Sequence, residues 1–285
     1  MAGGVDGSAG GVRTPLTYYG GKQALSRQIV PLFPSHRCYL EPFAGGAAVL
    51  FAKPRAERET LNDADGQIMA FWRAVRDRPD ELAAAIEATP YGRAEWRASR
   101  ERADDDLEAA RRLLVNVDQS FSRSRRSFSV PCIGENRGCW QPGTWANLPP
   151  KIVAAAERLK GVALEDGDAV DLIPKWDRHD AVIYCDPPYV GHLRLAPEIG
   201  YNVDATEDLW PRLVETLLSV EHAAVVLSGY PCAEAEDLGW RMVPLEMKRT
   251  VGLSDQGKRR DAPEVVWLND NVPELVPTLF DGAAA

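Results

Sequence analysis

Four consecutive residues, Asp186-Pro187-Pro188-Tyr189, have the types that chemistry on a planar amine requires. They directly follow Ala181-Val182-Ile183-Tyr184-Cys185, a continuous apolar run of the kind that forms a parallel strand buried on both faces. An exocyclic amine on a base is conjugated with its ring and is a poor nucleophile. It attacks a methyl sulfonium better when its lone pair is freed from the ring. A carboxylate that accepts a hydrogen bond from the amine favours that change and stabilises the positive charge that develops. Asp186 is such an acceptor. Pro187 has no N–H, but its carbonyl is an acceptor for the second amine hydrogen. The two prolines fix the backbone, so both acceptors are set before a substrate arrives. Tyr189 offers a flat face on which an extruded base stacks. A Pro-Pro pair that merely ended a strand requires neither the acid before it nor the aromatic after it. The scheme involves no covalent intermediate and no metal.

The elements that position this segment read as an alternation of strands and helices. Cys38-Tyr39-Leu40 is a short apolar strand ending in Glu41-Pro42-Phe43, followed by Gly45-Gly46 and a helix-forming stretch from Ala47 to Lys53. Glu59 to Asn62 reads as a second strand ending at Asp63, and Ile68, Phe71, Trp72 and Val75 then recur at helical spacing. Asp63 follows the glycine turn by about 20 residues, the separation at which an acid reaches ribose hydroxyls in nucleotide-binding units. A glycine turn plus an acid is also an ordinary connection. The order of glycine turn, acid and Asp-Pro-Pro-Tyr carries more weight. Later strands are predicted over Val162–Leu164, leading to Asp168, and over Ala223–Leu227, ending at Ser228-Gly229-Tyr230. Thr206 and Asp208 are candidate caps of a helix running to about Val220. Arg241–Met247 and Glu264–Leu268 are expected to pair antiparallel. This alternation predicts a doubly wound α/β sheet with an antiparallel edge hairpin. In such sheets ligands bind beyond the carboxyl ends of the strands, where the strand order reverses, and every unusual motif falls at such an end.

Between Pro79 and Ile152 the pattern changes. Helices are predicted over Glu81–Glu87 and Leu107–Val117, then an irregular Gly- and Pro-punctuated loop from Phe121 to Pro150. We expect an inserted, mainly helical lobe over residues 66–159. The remaining division is a flexible tail over residues 1–12 and one α/β domain built from residues 13–65 and 160–285. With 285 residues and 45% hydrophobic content, the chain can bury a sizeable core. The tail is Gly-rich without an apolar centre, unlike a signal peptide, and no run is long and apolar enough to span a bilayer. Cys38 and Cys185 sit in apolar runs as small buried hydrophobes. Cys132 and Cys139 flank a loop without the paired His or Cys of a metal site. Reduced cysteines suggest a cytoplasmic protein. The net charge of −9 argues against a nucleic-acid partner, although local clusters decide that question more than the sum does.

At these residues the sequence resembles the Dam-like family of DNA adenine-N6 methyltransferases, with the motifs in family order over most of the chain. The resemblance implies a Rossmann-like methyltransferase sheet, S-adenosylmethionine as cofactor and no metal. Tyr18-Tyr19-Gly20-Gly21-Lys22 is similar to the N-terminal cofactor motif, which places Tyr18 and Lys22 near the methionine end. The stretch from Glu41 to Phe51 is similar to the glycine motif, so Glu41, Phe43 and Gly45 are implied to line the cofactor. Asp63 inherits the ribose-binding role. Asp168-Ala169 stands where the family usually carries Asp-Phe at the adenine pocket. Asp186 to Tyr189 is the catalytic motif, with Asp186 also bordering the cofactor. Ser228-Gly229-Tyr230 falls where relatives have a polar strand end near the target base. The lobe at 66–159 is implied to recognise double-stranded DNA. Its densest basic cluster runs from Phe121 to Phe128 and includes Arg123, Arg125 and Arg126, which suit phosphate and base-edge contacts. Lys258-Arg259-Arg260 is a second basic run that would track the backbone. A monomer is expected, and a partner endonuclease is left open. Enzymes acting on RNA adenine or protein glutamine use a related tetrapeptide that usually begins with Asn, and cytosine-N4 enzymes more often have Ser there. The competing non-enzyme reading is a catalytically silent DNA-binding module, favoured only by Ala169.

Overall fold

The computed structural model describes residues 12–17, 22–123, 125–130, 141–188, 208–246 and 264–274. Tyr18, Tyr189, Cys132, Cys139 and Lys258-Arg259-Arg260 lie outside the described residues. In chain order the first elements are α1 (Ser26–Ile29), β1 (Cys38–Glu41), α2 (Ala48–Ala52), β2 (Arg58–Asn62), α3 (Gly66–Asp77), α4 (Pro79–Ala88), α5 (Arg93–Ala98) and α6 (Asp106–Asp118). They are followed by α7 (Gln141–Trp145), α8 (Leu148–Leu159), β3 (Val162–Glu165), α9 (Ala169–Leu172), β4 (Ala181–Cys185), α10 (Leu209–Leu218), β5 (Ala224–Gly229), α11 (Ala233–Glu236), β6 (Arg241–Pro244) and β7 (Val265–Leu268). The chain forms two compact units. One comprises Met1–Ser26, Gly45–Arg55 and Asp65–Leu164, and the other Arg27–Ala44, Ala56–Ala64 and Glu165–Ala285.

The sheet is an α/β sheet of mixed topology, consistent with a Rossmann-like arrangement, with strand order β3-β2-β1-β4-β5-β7-β6. β1 pairs in parallel with β2 and with β4, placing Leu40 opposite Thr60 on one side and Ile183 on the other. β4 pairs in parallel with β5, with Cys185 opposite Leu227. β7 runs antiparallel to both β5 and β6. β1, β4, β5 and β7 are buried along their whole length, which is why their apolar residues come in runs, broken only by Glu41 in β1 and Ser228 in β5, rather than in alternation.

One side of this sheet forms a core of Leu40, Ile183, Cys185, Val225, Leu227 and Trp267. α10 closes it with Trp210, Leu213 and Leu217, which share one face of the helix at i, i+3 and i+7. Burying such side chains contributes about 1.5–3 kcal/mol each. On the other parity of the same strands Phe33 lies 5.9 Å from Tyr39 and 6.1 Å from Tyr184, ring centre to ring centre. Cys38, Cys185 and Cys232 are free and buried. No helix among the described residues is long and apolar enough to cross a membrane.

The other unit is helical at its centre. α3 buries Ile68, Met69, Phe71, Trp72 and Val75. Trp72 stacks on Phe51 at 5.6 Å and donates its Nε1–H to the Gly45 carbonyl at 3.0 Å. Arg158, at the end of α8, donates to the Leu50 carbonyl at 2.9 Å, supplying a partner at the C-terminal end of the short α2.

Two sequence expectations change in detail. The loop expected from Phe121 to Pro150 contains α7 and the first turn of α8. Pro149 and Pro150 sit in the opening turn of α8, where a missing N–H costs nothing. Asp208 occupies the N-cap of α10, but its side chain makes no capping bond.

Candidate active site

In the strand order, β1 lies between β2 and β4, so the connections leave it in opposite directions. That reversal is the switch point, and the ligand crevice of an open α/β sheet lies outside the carboxyl ends there. Asp186, Pro187 and Pro188 leave β4 at this point. Pro187 is buried, whereas Asp186 and Pro188 are half-buried. Trp210, packed into the core by α10, donates its Nε1–H to the Pro188 carbonyl at 3.0 Å. The end of the proline segment is thus held by a buried indole as well as by its own rings. Ser228, near the end of β5, donates to Asp186 Oδ1 at 3.1 Å. Burial pushes the Cys185 thiol well above its ordinary range, and the adjoining Asp186 charge pushes it further the same way. That thiol therefore stays protonated and takes no part as a nucleophile.

The neighbouring strand ends are tied together by Asn62, which is fully buried. Its Nδ2 donates to the Pro42 carbonyl at 2.9 Å and to the Gly167 carbonyl at 3.1 Å, while its Oδ1 accepts the Gly167 N–H at 2.9 Å. Its backbone carbonyl accepts the Ala44 N–H at 2.8 Å. One amide thereby fixes the loop after β1, the end of β2 and the turn after β3. Asp63 follows immediately, half-buried, with its N–H directed at the Glu165 carbonyl at 3.4 Å. Glu41 is buried and accepts the Tyr39 hydroxyl at 2.9 Å. Burial and then the Glu41 charge raise the Tyr39 pKa well above the ordinary phenol range, so the tyrosine remains a donor. Phe43 packs, half-buried, against the sheet core. Asp168 is differently placed from a free acceptor. Its Oδ1 caps α9 by accepting the Val170 N–H at 3.1 Å, and its Oδ2 pairs with Arg212 at 2.7 Å. Ala169 beside it is buried.

The helical unit carries the other sequence candidates. Lys22 is buried, and its carbonyl accepts the N–H groups of Leu25 and Ser26. Gly45 has φ of +44°, a backbone region that disfavours side chains and explains the glycine. The basic segment is anchored at its ends, with Phe121, Arg126 and Ser127 exposed. Ser120 bridges Phe128 antiparallel, Phe121 N–H donates to the Ser127 carbonyl at 2.8 Å, and Trp96 Nε1–H donates to Ser120 Oγ at 2.8 Å. Arg123 lies 3.3 Å from buried Asp118. Arg125 donates to Asn116 at 2.8 Å and to Gln67 at 3.3 Å. Two of the three arginines expected to face a polyanion are thus engaged within their own unit, and Arg126 is the exposed one. Burial raises the Asp118 carboxyl to about 6, against the opposing pull of Arg123 and Lys151. Sequence reasoning missed α5, whose Arg93 and Arg97, with Arg100 just beyond it, are exposed. Their spacing of four and then three residues is the one signal that marked them as a shared helical face. Arg93 sits over Phe128 at 5.0 Å, and Arg100 over Trp96 at 5.4 Å. Among the described residues, no cluster of three or more His, Cys, Asp or Glu side chains is arranged to hold a metal ion.

Two comparisons with known proteins show similarity. Residues 18–115 match the family described as D12 class N6 adenine-specific DNA methyltransferase. That segment contains Lys22, Glu41, Phe43, Gly45 and Asp63 and ends before Asp186. The chain is also similar to the type II methyltransferase M1.LlaDCHI of Lactococcus lactis subsp. cremoris, 26% identical over 200 residues. The similarity covers 62% of this chain and 66% of that protein, just under two thirds of the relative's length. Together these findings are a family-level match to the D12-class adenine-N6 DNA methyltransferases.

Proposed function

We propose that the chain transfers a methyl group from S-adenosylmethionine to the exocyclic N6 amine of an adenine turned out of double-stranded DNA. The observation that carries this reading is Asp186. It is a half-buried carboxylate at the carboxyl end of the strand beside the switch point, held by Ser228 and followed by two prolines. In this reading Asp186 accepts one amine hydrogen and the Pro187 carbonyl the other, so the nitrogen lone pair is directed away from the ring. The Trp210 bond to Pro188 keeps both acceptors in place while the base enters. Tyr189 stacks on the extruded base.

The donor set at the strand ends fits the cofactor. Asp63 is a half-buried acid beyond β2 suited to ribose hydroxyls, and Phe43 presents half-buried apolar surface on the adjoining loop. Bound there, S-adenosylmethionine supplies an electrophilic methyl sulfonium. Tyr18 and Lys22 are assigned to its methionine end, and Glu41 and Gly45 to the loop that shapes its pocket. Asp168 is assigned to the adenine pocket, its carboxylate held in place by the α9 cap and the Arg212 pair. Residues 66–159 are assigned to DNA recognition, and residues 13–65 and 160–285 to catalysis. Arg126 contacts phosphate together with Arg93, Arg97 and Arg100, while Arg123 and Arg125 shape the loop that presents it.

Asp186→Ala tests the assignment. The variant is expected to bind cofactor like the wild type and to lose methyl transfer by about a thousandfold, the scale set by removing a charge-stabilising group. Turnover near the wild-type level in that variant refutes Asp186 as the amine acceptor.

A further inference from the structure

Ser228 is a fully buried hydroxyl in a strand otherwise made of Ala, Val, Leu and Gly. β5 pairs with β4 such that Tyr184 faces Val226, so Ser228, two residues on, shares a face with Tyr184 and Asp186. A polar group there is costly unless it is bonded, and an apolar residue would satisfy packing alone. Three contacts satisfy it. Its Oγ lies 2.9 Å from the Tyr184 hydroxyl, 3.1 Å from Asp186 Oδ1 and 3.4 Å from the Cys185 carbonyl. Serine has one proton to give. The carboxylate is the nearer of its two acceptors and the charged one, and charge-assisted bonds are the stronger. With that proton directed at Asp186, Tyr184 must donate to Ser228. Two hydroxyls in series therefore point at one oxygen of the proposed amine acceptor, each polarising the next.

We propose that Ser228, backed by Tyr184, is a positioning residue that fixes the orientation of the Asp186 carboxylate and keeps it ionised for methyl transfer. The proposal rests on the function assigned above. Ser228 holds Oδ1 from β5. A donor to the charged form of an acid favours that form, so loss of the donor raises the pH at which Asp186 takes up a proton. Asp186 must be ionised to accept from the amine, and the acid side of the activity profile then moves upward with it.

Three variants of the full chain test this: Ser228→Ala, Ser228→Thr and Tyr184→Phe. Methyl transfer to adenine-containing duplex is measured across pH. Ser228→Ala is expected to lower kcat by roughly 10- to 100-fold with KM for the cofactor unchanged, and to move the acid limb up by about one pH unit. Ser228→Thr, which keeps the hydroxyl, is expected to recover most of the rate. Tyr184→Phe, which removes the hydroxyl that backs Ser228, is expected to move the limb in the same direction by less, and it stands as the test if Ser228→Ala does not fold. Wild-type kcat and acid limb in Ser228→Ala, or a Ser228→Thr variant as slow as Ser228→Ala, overturns the proposal. A carbon-detected NMR titration of the Asp186 carboxyl, assigned through Asp186→Asn, gives a readout independent of turnover. An unmoved titration in both Ser228→Ala and Tyr184→Phe refutes the relay. A wild-type chain that methylates no adenine while the titration does move refutes the assigned function instead.

Discussion

Asn62 gives the sharpest prediction about how the strand ends are built. Its side chain makes three hydrogen bonds, to Pro42 O, Gly167 O and Gly167 N, from a fully buried position. In Asn62→Ala all three partners lose it. A buried polar group left unpaired costs about 1–3 kcal/mol. Gly167 is exposed, so water satisfies part of its loss, and the sum should come to about 3 kcal/mol. That is a large fraction of the ~5–15 kcal/mol by which domains are stable. Asn62→Asp separates donation from size. The introduced carboxylate still accepts from Gly167 N–H, but it faces two carbonyl oxygens to which it can no longer donate. Burial and those oxygens raise its pKa in the folded protein, so the folded state holds the proton to higher pH than the unfolded chain does. Its stability deficit therefore grows as pH rises through the interval above about 4 and shrinks on acidification, when the protonated acid regains one donor. Urea unfolding at pH 8 and pH 5 measures this, with the cofactor Kd measured in parallel by calorimetry. Asn62→Asp should be the less stable variant at pH 8 and should recover toward Asn62→Ala at pH 5. A loss below 1 kcal/mol in Asn62→Ala, or wild-type stability of Asn62→Asp at pH 8, refutes the clamp.

Two further predictions concern the helical unit. Asp118 is buried, its Oδ2 lacks a hydrogen-bond partner among the described residues, and its carboxyl sits at about 6 rather than 3.8. A folded-state pKa raised in this way means that ionisation opposes folding as pH rises from about 4 to about 6, by at most about 3 kcal/mol. Asp118→Asn should therefore stabilise the chain at pH 8, by an amount approaching that limit, and change little at pH 4; denaturant midpoints at the two pH values measure the difference. Separately, Arg97, Arg100 and Arg126 replaced together by Ala should weaken DNA binding and lower the slope of log affinity against log salt by about 3. Arg123→Ala with Arg125→Ala should instead lower the unfolding midpoint, because those side chains bind within the protein.

The sheet was legible because parallel strands buried on both faces leave unbroken apolar runs. β4 spans the residues expected from that rule, and Asp186 stands directly after it. The glycine turn at Gly45 was legible for a similar local reason, a positive φ that side chains disfavour. Contacts between residues far apart in sequence left no such mark. Arg212 reaches Asp168 across 44 residues, and Asn62 reaches Gly167 across 105. The Arg-rich segment was read by composition, which gives charge but not direction. Asp118, Asn116 and Gln67 draw two of its arginines inward. The start of α8 was hidden by Pro149 and Pro150, because the same pair that breaks a helix interior is tolerated in its first turn.

The central claim is settled most directly by the product. Purified chain is incubated with S-adenosylmethionine and mixed-sequence duplex DNA, the DNA is digested to nucleosides, and methylated species are quantified by mass spectrometry beside an Asp186→Ala control. N6-methyladenine, formed in duplex DNA and absent from the control, is the predicted result. Methylcytosine alone, methylation confined to RNA or protein, or cofactor binding without transfer to any substrate contradicts it.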